Sequence, residues 1–435
     1  MDIAIIGAGH VGLVTGACFA ELGHQVIMVD NDENKLAGIR RGKSWFYEPG
    51  LDELLKRGIK EKRLICTDSI AVAVKKAQIL FICVGTPPRP NGEADLSTVE
   101  HVCRQMARAM TGYRLVVEKS TVPVQTGEWV KQTLQNFVRK KVTFDVASNP
   151  EFLREGSGVK DFMQPDRVVL GVESDRARDL LMKLYQPLKV PIIVTDVKSS
   201  ELIKHASNSF LAMKISFMNA VARICDLVGA DVIRVADGMG MDGRIQRSFL
   251  NAGVGYGGFC FPKDLEAFIR IAEKLGYDFQ LLRSVVQVNT DQQSYFVKRI
   301  GESIWNLPGK TIGILGLSFK PDTDDMRFAP SIEIIRLLQE EGAKIRAFDP
   351  QAMPEAKPLL KNVTFCKNAY EVARDADCLA LVTDWPEFKG LDFKKIKKLM
   401  RQPVLVDGRN LYDPQQMRQL GFRYSGVGRG AQRRG

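Results

Sequence analysis

The stretch at residues 251–264, which reads NAGVGYGGFCFPKD, has the residue types of a loop for covalent catalysis. Four glycines precede a single cysteine, Cys260, and Lys263 and Asp264 follow it closely. Clustered glycines let a backbone approach a ligand and offer N–H groups to its oxygens. A neighbouring cation favours the nucleophilic thiolate. The alternative is a turn that holds a buried structural cysteine, but glycines on one side and an ionisable pair on the other favour nucleophilic chemistry.

A second motif, GAGHVG, supplies Gly7, Gly9 and Gly12 near the start of the chain. The sequence around it predicts a strand at residues 2–6, a helix from the end of the motif to about residue 22, and a second strand at residues 25–29. In such a βαβ unit the glycines admit a pyrophosphate, the helix N-terminus attracts it, and Asp30 accepts the ribose hydroxyls. An acid at that position repels a 2′-phosphate, so the sequence predicts NAD rather than NADP. Lys35 either reaches the cofactor or is solvated.

Further predicted strands end in polar loops. These strands cover residues 79–84, 115–119, 144–147 and 191–195. Ligands of open α/β sheets bind outside the carboxyl ends of strands, which makes Thr86 and Thr121 candidate contacts. Ordinary helix capping is the alternative for both threonines. The loop at 149–156 carries two carboxylates and an arginine, and it is either a ligand site or a salt-bridged surface turn.

The alternation then gives way to one long helical pattern at about residues 199–228. Its length is typical of a connector between domains that also carries a subunit interface. Lys204 and Asn208 share a face of this helix. Polar groups on an apolar helix need partners, so we predict a substrate oxygen or a reactive oxyanion there. A plain surface lysine is the alternative, and His205 is not expected to act as a general base.

A second α/β block follows, without a glycine fingerprint. Its predicted strands and helix cover residues 311–315, 331–341, 343–348, 378–382 and 404–406. We therefore predict an α/β fold with two Rossmann-like doubly wound domains joined by a long central helix, and a cleft that holds the Cys260 loop. The predicted domains are an NAD-binding domain, a central helical domain with the cysteine loop and dimer contacts, and a C-terminal domain with a basic tail, at residues 1–195, 196–305 and 306–435.

Composition narrows the class of protein. A net charge of +11 on 435 residues suits either nucleic acid or an anionic small molecule. The basic residues are mostly dispersed, which favours the small molecule. Eight scattered cysteines without a C-x-x-C pair indicate reduced thiols in the cytoplasm. We expect no metal site, no nucleic acid and no membrane partner, since no apolar run is long enough for a membrane helix.

The ends of the chain carry two further expectations. The first residues already form a predicted strand, which leaves no room for a signal or transit peptide. The stretch after Gly426, which includes Arg429, Arg433 and Arg434, is rich in glycine and arginine. It is expected to be a disordered end.

Along nearly its whole length the chain resembles the UDP-glucose/GDP-mannose dehydrogenase family. The motifs that carry the resemblance are GxGxVG at 7–12, NPEFLREG at 149–156, GMDGRI at 240–245, GYGGFCFPKD at 255–264, GLSFKPDTDDMR at 316–327 and DGRN at 407–410. Residues 261–264 resemble members that oxidise UDP-glucose rather than UDP-N-acetylmannosamine. In two departures, Gln246 replaces a common glycine and Phe259 a frequent serine. Neither removes a reacting group, though both could adjust the substrate loop.

The resemblance implies an NAD-dependent four-electron oxidation of UDP-glucose at C6 to UDP-glucuronate. Cys260 would hold the intermediate aldehyde as a thiohemiacetal and then as a thioester, which water hydrolyses. Lys204 would stabilise the oxyanions, and Asp264 would orient or deprotonate a water. Arg244 matches an arginine that reaches in from a neighbouring subunit, which implies a dimer or a larger homo-oligomer.

Three overlapping sets of site residues follow. The catalytic set is Cys260, Lys204, Asp264, Glu151, Thr121 and Asn208. The cofactor set is Gly7, Gly9, Val11, Gly12, Asp30, Lys35, Thr86, Thr121, Glu155, Lys263 and Arg327. The substrate set is Glu151, Phe152, Leu153, Arg154, Glu155, Lys204, Asn208, Arg244, Phe249, Leu250, Asn251, Ala252, Gly253, Gly257, Lys320 and Arg409.

Three alternatives stay open. Another nucleotide-sugar 6-dehydrogenase, specific for GDP-mannose or a related sugar, would use the same chemistry. A two-electron 3-hydroxyacid dehydrogenase shares the N-terminal fold and the long helix but needs no thiol. A non-catalytic nucleotide-sugar sensor would not need the complete set of reacting residues.

Overall fold

The computed structural model describes residues 1–430, which form two compact units. Unit 1 comprises Met1–Ser207 and Glu266–Tyr277, and unit 2 comprises Asn208–Leu265 and the chain from Asp278 onward. Arg433 and Arg434 of the basic tail lie outside the described residues. The three domain boundaries inferred from the sequence stay a prediction.

An eight-stranded sheet lies at the centre of unit 1. Its strands are β1 (Asp2–Ile6), β2 (Gln25–Val29), β3 (Leu64–Thr67), β4 (Ile79–Ile82), β5 (Arg114–Glu118), β6 (Phe144–Ser148), β7 (Val168–Gly171) and β8 (Ile192–Thr195). They are ordered β3-β2-β1-β4-β5-β6-β7-β8, and all neighbours are parallel except β6 and β7.

Helices cover both faces of this sheet because its strands are apolar on both sides. In β1, Ile3 and Ile5 belong to one hydrophobic core, whereas Ala4 and Ile6 belong to another. The helices are α1 (His10–Glu21), α2 (Glu33–Arg40), α3 (Leu51–Lys60), α4 (Ile70–Lys76), α5 (Ser97–Ala109), α6 (Thr126–Phe137), α7 (Gly158–Met163) and α8 (Asp175–Tyr185), with a 3-10 turn at Gln186–Leu188.

The longest helix, α9 (Val197–Val228), extends two residues further at its start than predicted. It is followed by α10 (Val232–Gly240), α11 (Cys260–Lys274) and α12 (Gln280–Ile304). Among residues 1–430, the helices lack the combination of length and apolar character that crossing a membrane requires.

Unit 2 contains a six-stranded parallel sheet in the order β11-β10-β9-β12-β13-β14. Its strands are β9 (Thr311–Leu315), β10 (Lys344–Phe348), β11 (Val363–Phe365), β12 (Cys378–Leu381), β13 (Val404–Asp407) and β14 (Arg423–Gly426). Its helices are α13 (Pro330–Glu340), α14 (Met353–Ala356), α15 (Ala369–Ala373), α16 (Pro386–Lys389), α17 (Phe393–Leu399) and α18 (Pro414–Gln419). The predicted class, two doubly wound α/β folds with a long helix between them in sequence, is confirmed.

The prediction of disorder after Gly426 is wrong for residues 427–430. Val427 is fully buried, and its carbonyl accepts a hydrogen bond from Asn410 Nδ2 at 2.8 Å. The backbone N–H of Gly428 donates to Asp226 at 3.0 Å. Glycine and arginine content does not reveal these partners, which lie far away in the sequence.

Candidate active site

The turn between β1 and α1 has a backbone shaped by its glycines. Gly7 has φ +103°, a left-handed conformation that favours glycine. A Cβ on Gly12 would lie 1.9 Å from the carbonyl oxygen of Gly7, so this residue is fixed by the protein's own packing. A Cβ on Gly9 would meet nothing within 4 Å. The open side at Gly9, next to the first turn of α1, fits the pyrophosphate of a dinucleotide.

Asp30 and Lys35 lie beside this turn. Asp30 follows β2, and its carboxylate accepts hydrogen bonds from Ala8 N at 2.7 Å and Asp32 N at 2.9 Å. Trp45 donates from Nε1 to the carbonyl of Ala8 at 2.9 Å, and Lys35 Nζ lies 4.7 Å from the centre of the Trp45 ring. These positions fit a cofactor whose ribose lies next to Asp30.

The ends of β4 and β5 place the two candidate threonines together. Thr86 Oγ1 donates to the carbonyl oxygen of Thr121 at 2.9 Å. Ser120 Oγ donates to the carbonyl of Val84 at 2.7 Å, which joins the same two loops. The two loops thus meet at the carboxyl ends of neighbouring parallel strands, and the roles of the two threonines stay a prediction.

One part of the loop at 149–156 fits a ligand site, and another part fits a salt-bridged surface turn. Glu151 is buried, and Lys204 donates from Nζ to its Oε1 at 3.0 Å. Arg154 is an exposed residue that pairs with Asp161 at 2.6 Å, as in a surface turn. Since only 5% of the Lys204 side chain is exposed, it is not a surface lysine.

Two aromatic contacts complete this part of unit 1. The ring of Phe152 has Lys204 Nζ 5.4 Å and the Arg167 guanidinium 3.9 Å from its centre. Leu153 N donates to Glu151 at 2.6 Å, and Glu155 and Val11 are half-buried. The predicted substrate residues 151–153 thus lie around the amine of Lys204.

Sequence reasoning missed Lys119, which follows β5 and is buried. Its Nζ donates to Asn149 Oδ1 at 3.1 Å, and Tyr185 donates from its hydroxyl to the same oxygen. Burial lowers the pKa of Lys119 to about 8, while the nearby thiol of Cys83 and carboxylate of Glu151 oppose the shift. A lysine directly after an apolar strand was the available signal.

In unit 2, Cys260 is the first residue of α11, and its glycine-rich loop packs on the segment that follows β9. A Cβ on Gly257 would lie 2.3 Å from the carbonyl oxygen of Phe328, and one on Gly258 would lie 2.7 Å from the ring of Phe319. These two glycines make room for the protein itself, in addition to any ligand. A helix N-terminus favours a thiolate, and Pro262 in the first turn was a sequence signal for the helix start.

Asp264 lies at the centre of a buried polar cluster in unit 2. Only 1% of it is exposed, and it receives Lys263 Nζ at 2.8 Å on Oδ1 and Asn208 Nδ2 at 2.6 Å on Oδ2. The ring centre of Phe259 lies 5.5 Å from Lys263 Nζ and 4.4 Å from the Arg327 guanidinium. The aromatic departure at position 259 therefore contacts two predicted cofactor residues.

Among the remaining predicted substrate residues of unit 2, Arg409 lies near Gly253. A Cβ on Gly253 would lie 2.8 Å from the carbonyl oxygen of Gly408 and 3.4 Å from Arg409 Nη1. Leu250 and Ala252 are buried, whereas Asn251 is exposed and accepts a hydrogen bond from Arg247 at 2.8 Å. Lys320 Nζ is 5.9 Å from the centre of the Phe319 ring. Phe249 has φ +64° and Gln246 has φ +61°.

Arg244 stands apart from these residues. Its side chain is 89% exposed and forks onto Asp242 at 2.6–3.2 Å. Gln246 adopts the left-handed conformation that favours glycine, which fits the expectation of a glycine there.

The other seven cysteines are poor nucleophiles for a common reason, burial. It raises the pKa of Cys66 to about 11 and that of Cys83, Cys103 and Cys378 to about 12. It also raises the pKa of Cys18, Cys225 and Cys366. These seven thiols are therefore protonated at neutral pH.

Known proteins match nearly the whole chain. Three models of the UDP-glucose/GDP-mannose dehydrogenase family match: its NAD binding domain at residues 1–189, its central domain at 198–291 and its UDP binding domain at 313–414. The UDP-glucose 6-dehydrogenase TuaD of Bacillus subtilis is 45% identical over 99% of this chain and 94% of its own length. The UDP-glucose 6-dehydrogenase of Rhizobium meliloti is 43% identical over 99% of this chain and all of its own.

A solved structure agrees. The UDP-glucose dehydrogenase of Pyrobaculum islandicum is 40% identical, covers 98% of this chain and 97% of its own, and superposes with a TM-score of 0.92. The predictions of an NAD-dependent dehydrogenase and of its cofactor are thereby confirmed. The chain belongs to the UDP-glucose/GDP-mannose dehydrogenase family.

Proposed function

We propose that this protein oxidises the C6 alcohol of UDP-glucose to the carboxylate of UDP-glucuronate. The Bacillus and Rhizobium relatives, which are named UDP-glucose 6-dehydrogenases, support this substrate, as does the match to a UDP binding domain. The observation that carries the chemistry is the position of Cys260 at the N-terminal end of α11, where the helix favours a thiolate.

The thiol accounts for an oxidation that passes through an aldehyde. NAD, when bound, would supply the oxidant for both oxidations, with one molecule accepting a hydride in each. Cys260 sulfur adds to the C6 aldehyde and forms a carbon–sulfur bond, which gives a thiohemiacetal and, after the second oxidation, a thioester. Water then adds to the thioester carbon, the carbon–sulfur bond breaks, and the thiolate returns as the carboxylate leaves. One alcohol, two NAD and one water give one carboxylate, two NADH and three protons.

Buried charges support the roles proposed for the other catalytic residues. Glu151 holds the amine of Lys204 at 3.0 Å, and this cation stabilises the oxyanions of the tetrahedral species. Asp264 orients or deprotonates the water, and Lys263 and Asn208 fix its carboxylate. Thr121, like Glu151 and Asn208, holds substrate or water.

Cofactor binding is assigned to the residues of the predicted cofactor set. In unit 1 the glycine turn receives the pyrophosphate and Asp30 receives the ribose, with Val11, Lys35, Thr86, Thr121 and Glu155 around them. Lys263 and Arg327 of unit 2 contribute positive charge. The substrate is assigned to residues 151–155, 249–253, Lys204, Asn208, Gly257, Lys320 and Arg409.

A homo-oligomer is part of the proposal, supported by an apolar stripe on α9. Phe210, Phe217 and Ile224, spaced seven residues apart, are 57%, 53% and 59% exposed. Leu227 beside them is 83% exposed. An exposed apolar stripe at this spacing suits another copy of the same helix, and the exposed Arg244 would then reach the neighbouring subunit. Light scattering should give a dimer or larger species for the wild type and a smaller one for Phe217→Glu.

The test of the activity is a count of NADH per nucleotide sugar. Limiting UDP-glucose with excess NAD should give two NADH, and GDP-mannose and UDP-N-acetylmannosamine should react far more slowly. One NADH per UDP-glucose would instead identify the two-electron dehydrogenase, and preference for GDP-mannose would identify the other nucleotide-sugar enzyme.

The same assay tests the nucleophile. Cys260→Ala should form no UDP-glucuronate while it still binds NAD. Cys66→Ala, which removes a half-buried thiol in β3, is the matched control and should keep wild-type turnover. Unchanged acid formation by Cys260→Ala would remove Cys260 from the mechanism.

A further inference from the structure

We propose that Glu201 is a positioning residue that fixes the loop of Thr121 to the helix of Lys204, and that Glu118, in its protonated form, completes this contact by donating a hydrogen bond to Glu201. The inference rests on the proposed function, in which Thr121 and Lys204 act on the same substrate. Neither glutamate belongs to the predicted site.

The carboxylate of Glu201 bonds directly to the backbone at the end of that loop. Glu201 lies in the second turn of α9 and is 3% exposed. Its Oε2 accepts from Gln125 N at 2.7 Å, and its Oε1 accepts from Gly127 N at 2.8 Å. These two N–H groups belong to the start of α6, where a helix leaves its amides without intrahelical partners. One side chain thus caps α6 and connects it to α9.

The approach of the two helices is close at this point. A Cβ on Gly127 would lie 2.5 Å from Val197 Cγ1, so only glycine lets α6 come this near to α9. Gln125 has φ +78°, a strained conformation for a side-chain-bearing residue that the contact with Glu201 stabilises. The missing side chain of Gly127 and the left-handed backbone of Gln125 therefore both place N–H groups where Glu201 accepts them.

The loop between β5 and α6 carries Thr121 and has two further attachments. Thr86 Oγ1 donates to the carbonyl of Thr121 at 2.9 Å, and His205 Nε2 donates to the carbonyl of Val122 at 2.7 Å. His205 and Glu201 lie one turn apart on α9, and Lys204 lies between them in sequence. A shift of this loop would therefore displace Thr121 relative to Lys204.

Glu118, the last residue of β5, faces Glu201 in the interior. It is 2% exposed, and within residues 1–430 neither of its carboxyl oxygens receives an N–H or O–H group. Its side chain lies within hydrogen-bonding reach of Glu201. Two buried carboxylates cannot both remain ionised, and burial, with the charge of Glu201 second, raises the pKa of Glu118 well above its usual value. The proton therefore resides on Glu118, whose hydroxyl donates a hydrogen bond to the carboxylate of Glu201.

Other charged groups around the pair are few. Cys103 of α5 faces Glu118, and Glu128 of α6 and Lys198 of α9 face Glu201. Glu128 and Lys198 pair with each other at 2.8 Å in solvent, and the charge of Glu128 adds to burial in raising the pKa of Glu201. Burial keeps the Cys103 thiol protonated. The proton on Glu118 thus removes one of the two negative charges that the pair would otherwise carry.

Glu201→Gln tests the contact, with Glu128→Gln on α6 as the matched control. A glutamine cannot accept from both Gln125 and Gly127, because one end of its amide is a donor. We expect roughly 10- to 100-fold lower kcat from the displaced loop, and faster hydrogen exchange in the peptide containing residues 125–127. The control, whose carboxylate is half exposed, should match the wild type in both measurements.

Glu118→Gln tests the proton and guards against misfolding of the first variant. Its amide still donates to Glu201 but does not titrate, so kcat at pH 7 should stay within about twofold of the wild type. The wild type should lose activity at alkaline pH as Glu118 ionises, and the ratio of variant to wild-type kcat should rise with pH. A merely structural role for the pair would leave that ratio constant.

The outcomes separate this inference from the proposed function. Wild-type kcat and exchange in Glu201→Gln, or a constant ratio for Glu118→Gln, would overturn the positioning role. Absence of NADH from UDP-glucose in the wild type would instead overturn the function, while the exchange measurement would still test the contact.

Discussion

The two sheets of the protein share one topology but use it differently. Six strands of unit 1 follow the order β3-β2-β1-β4-β5-β6, and the sheet of unit 2 has the equivalent order β11-β10-β9-β12-β13-β14. In unit 1, α1 begins at His10, directly after the glycine turn. In unit 2, the chain after Leu315 runs through a long segment before α13 begins at Pro330. That segment contacts the glycine-rich loop of Cys260 through Phe319 and Phe328, and Pro330 at the start of α13 also lies against Gly257.

The acids after the second strand show what this difference means. Asp30, half-buried, accepts one N–H from the glycine turn at Ala8. Its counterpart Asp349 is fully buried, and its Oδ2 receives Leu317 N at 2.7 Å, Ser318 N at 3.0 Å and Trp385 Nε1 at 3.0 Å. The same topological position thus holds a ligand-accessible acid in one fold and a structural acid in the other.

The last residues of the fifth strands make a similar pair. Glu118 ends β5 and Asp407 ends β13, and burial raises the pKa of both carboxyl groups. Asp407 accepts from Arg409 N, Tyr412 N and the Tyr424 hydroxyl at 3.0, 3.0 and 2.9 Å. Within residues 1–430, Glu118 receives no such donors, so its burial is stabilised by its own proton instead. Equal burial therefore leads to different dependence on pH.

The largest effect is expected from the two glycines of the first turn. Gly12→Ala would place a methyl group against Gly7 and should cost about 3 kcal/mol, at the upper end of overpacking costs, together with NAD binding. Gly9→Ala fits its conformation and meets no protein atom, so it should keep the melting temperature and weaken only NAD binding. Calorimetry of unfolding and NAD titration would check both. Equal loss of stability in the two variants would contradict the assignment.

Replacement of each of the two acids by alanine should have the next largest effect. Asp349→Ala leaves five donors of buried residues without their acceptor and should destabilise the protein by about 3 kcal/mol or more. Asp30→Ala should change stability by less than about 1 kcal/mol, while it raises KM for NAD and reduces the preference over NADP. Denaturant unfolding and steady-state kinetics check both variants. A larger loss of stability in Asp30→Ala than in Asp349→Ala, with the higher KM for NAD in Asp349→Ala, would contradict the two roles.

The smallest effect concerns pH. A carboxyl whose folded pKa is raised contributes stability that is complete below its unfolded pKa, about 4.5, and is lost as pH rises through the folded value. Glu118→Gln removes that loss, so its melting temperature should gain on the wild type between pH 5 and pH 9. Asp407→Asn should be less stable than the wild type throughout, because three donors lose part of their acceptor. A pH-independent difference for Glu118→Gln would contradict this view.

Much of the fold could be predicted because its signals are local. The glycine turn, the apolar strands and the periodicity of α9 predicted elements whose observed bounds differ by only a few residues. The Glu118–Glu201 contact and the donors around Asp349 could not be predicted, because each joins segments far apart in sequence. For Lys119 the local signal was its place directly after an apolar strand, but its partner Asn149 could not be read from that place. The glycines at 257 and 258 showed the same limit: their packing against Phe319 and Phe328 depends on a partner some 60 or more residues away.

The central claim is that Cys260 sulfur carries the sugar between the two oxidations. Acid-quenching the enzyme during turnover with UDP-glucose and NAD, followed by peptide mass mapping, tests it most directly. The prediction is a sugar-nucleotide adduct on the peptide that contains Cys260, absent when NAD is omitted and absent from Cys260→Ala. An adduct on any other cysteine, or two NADH per UDP-glucose from Cys260→Ala, would contradict the claim.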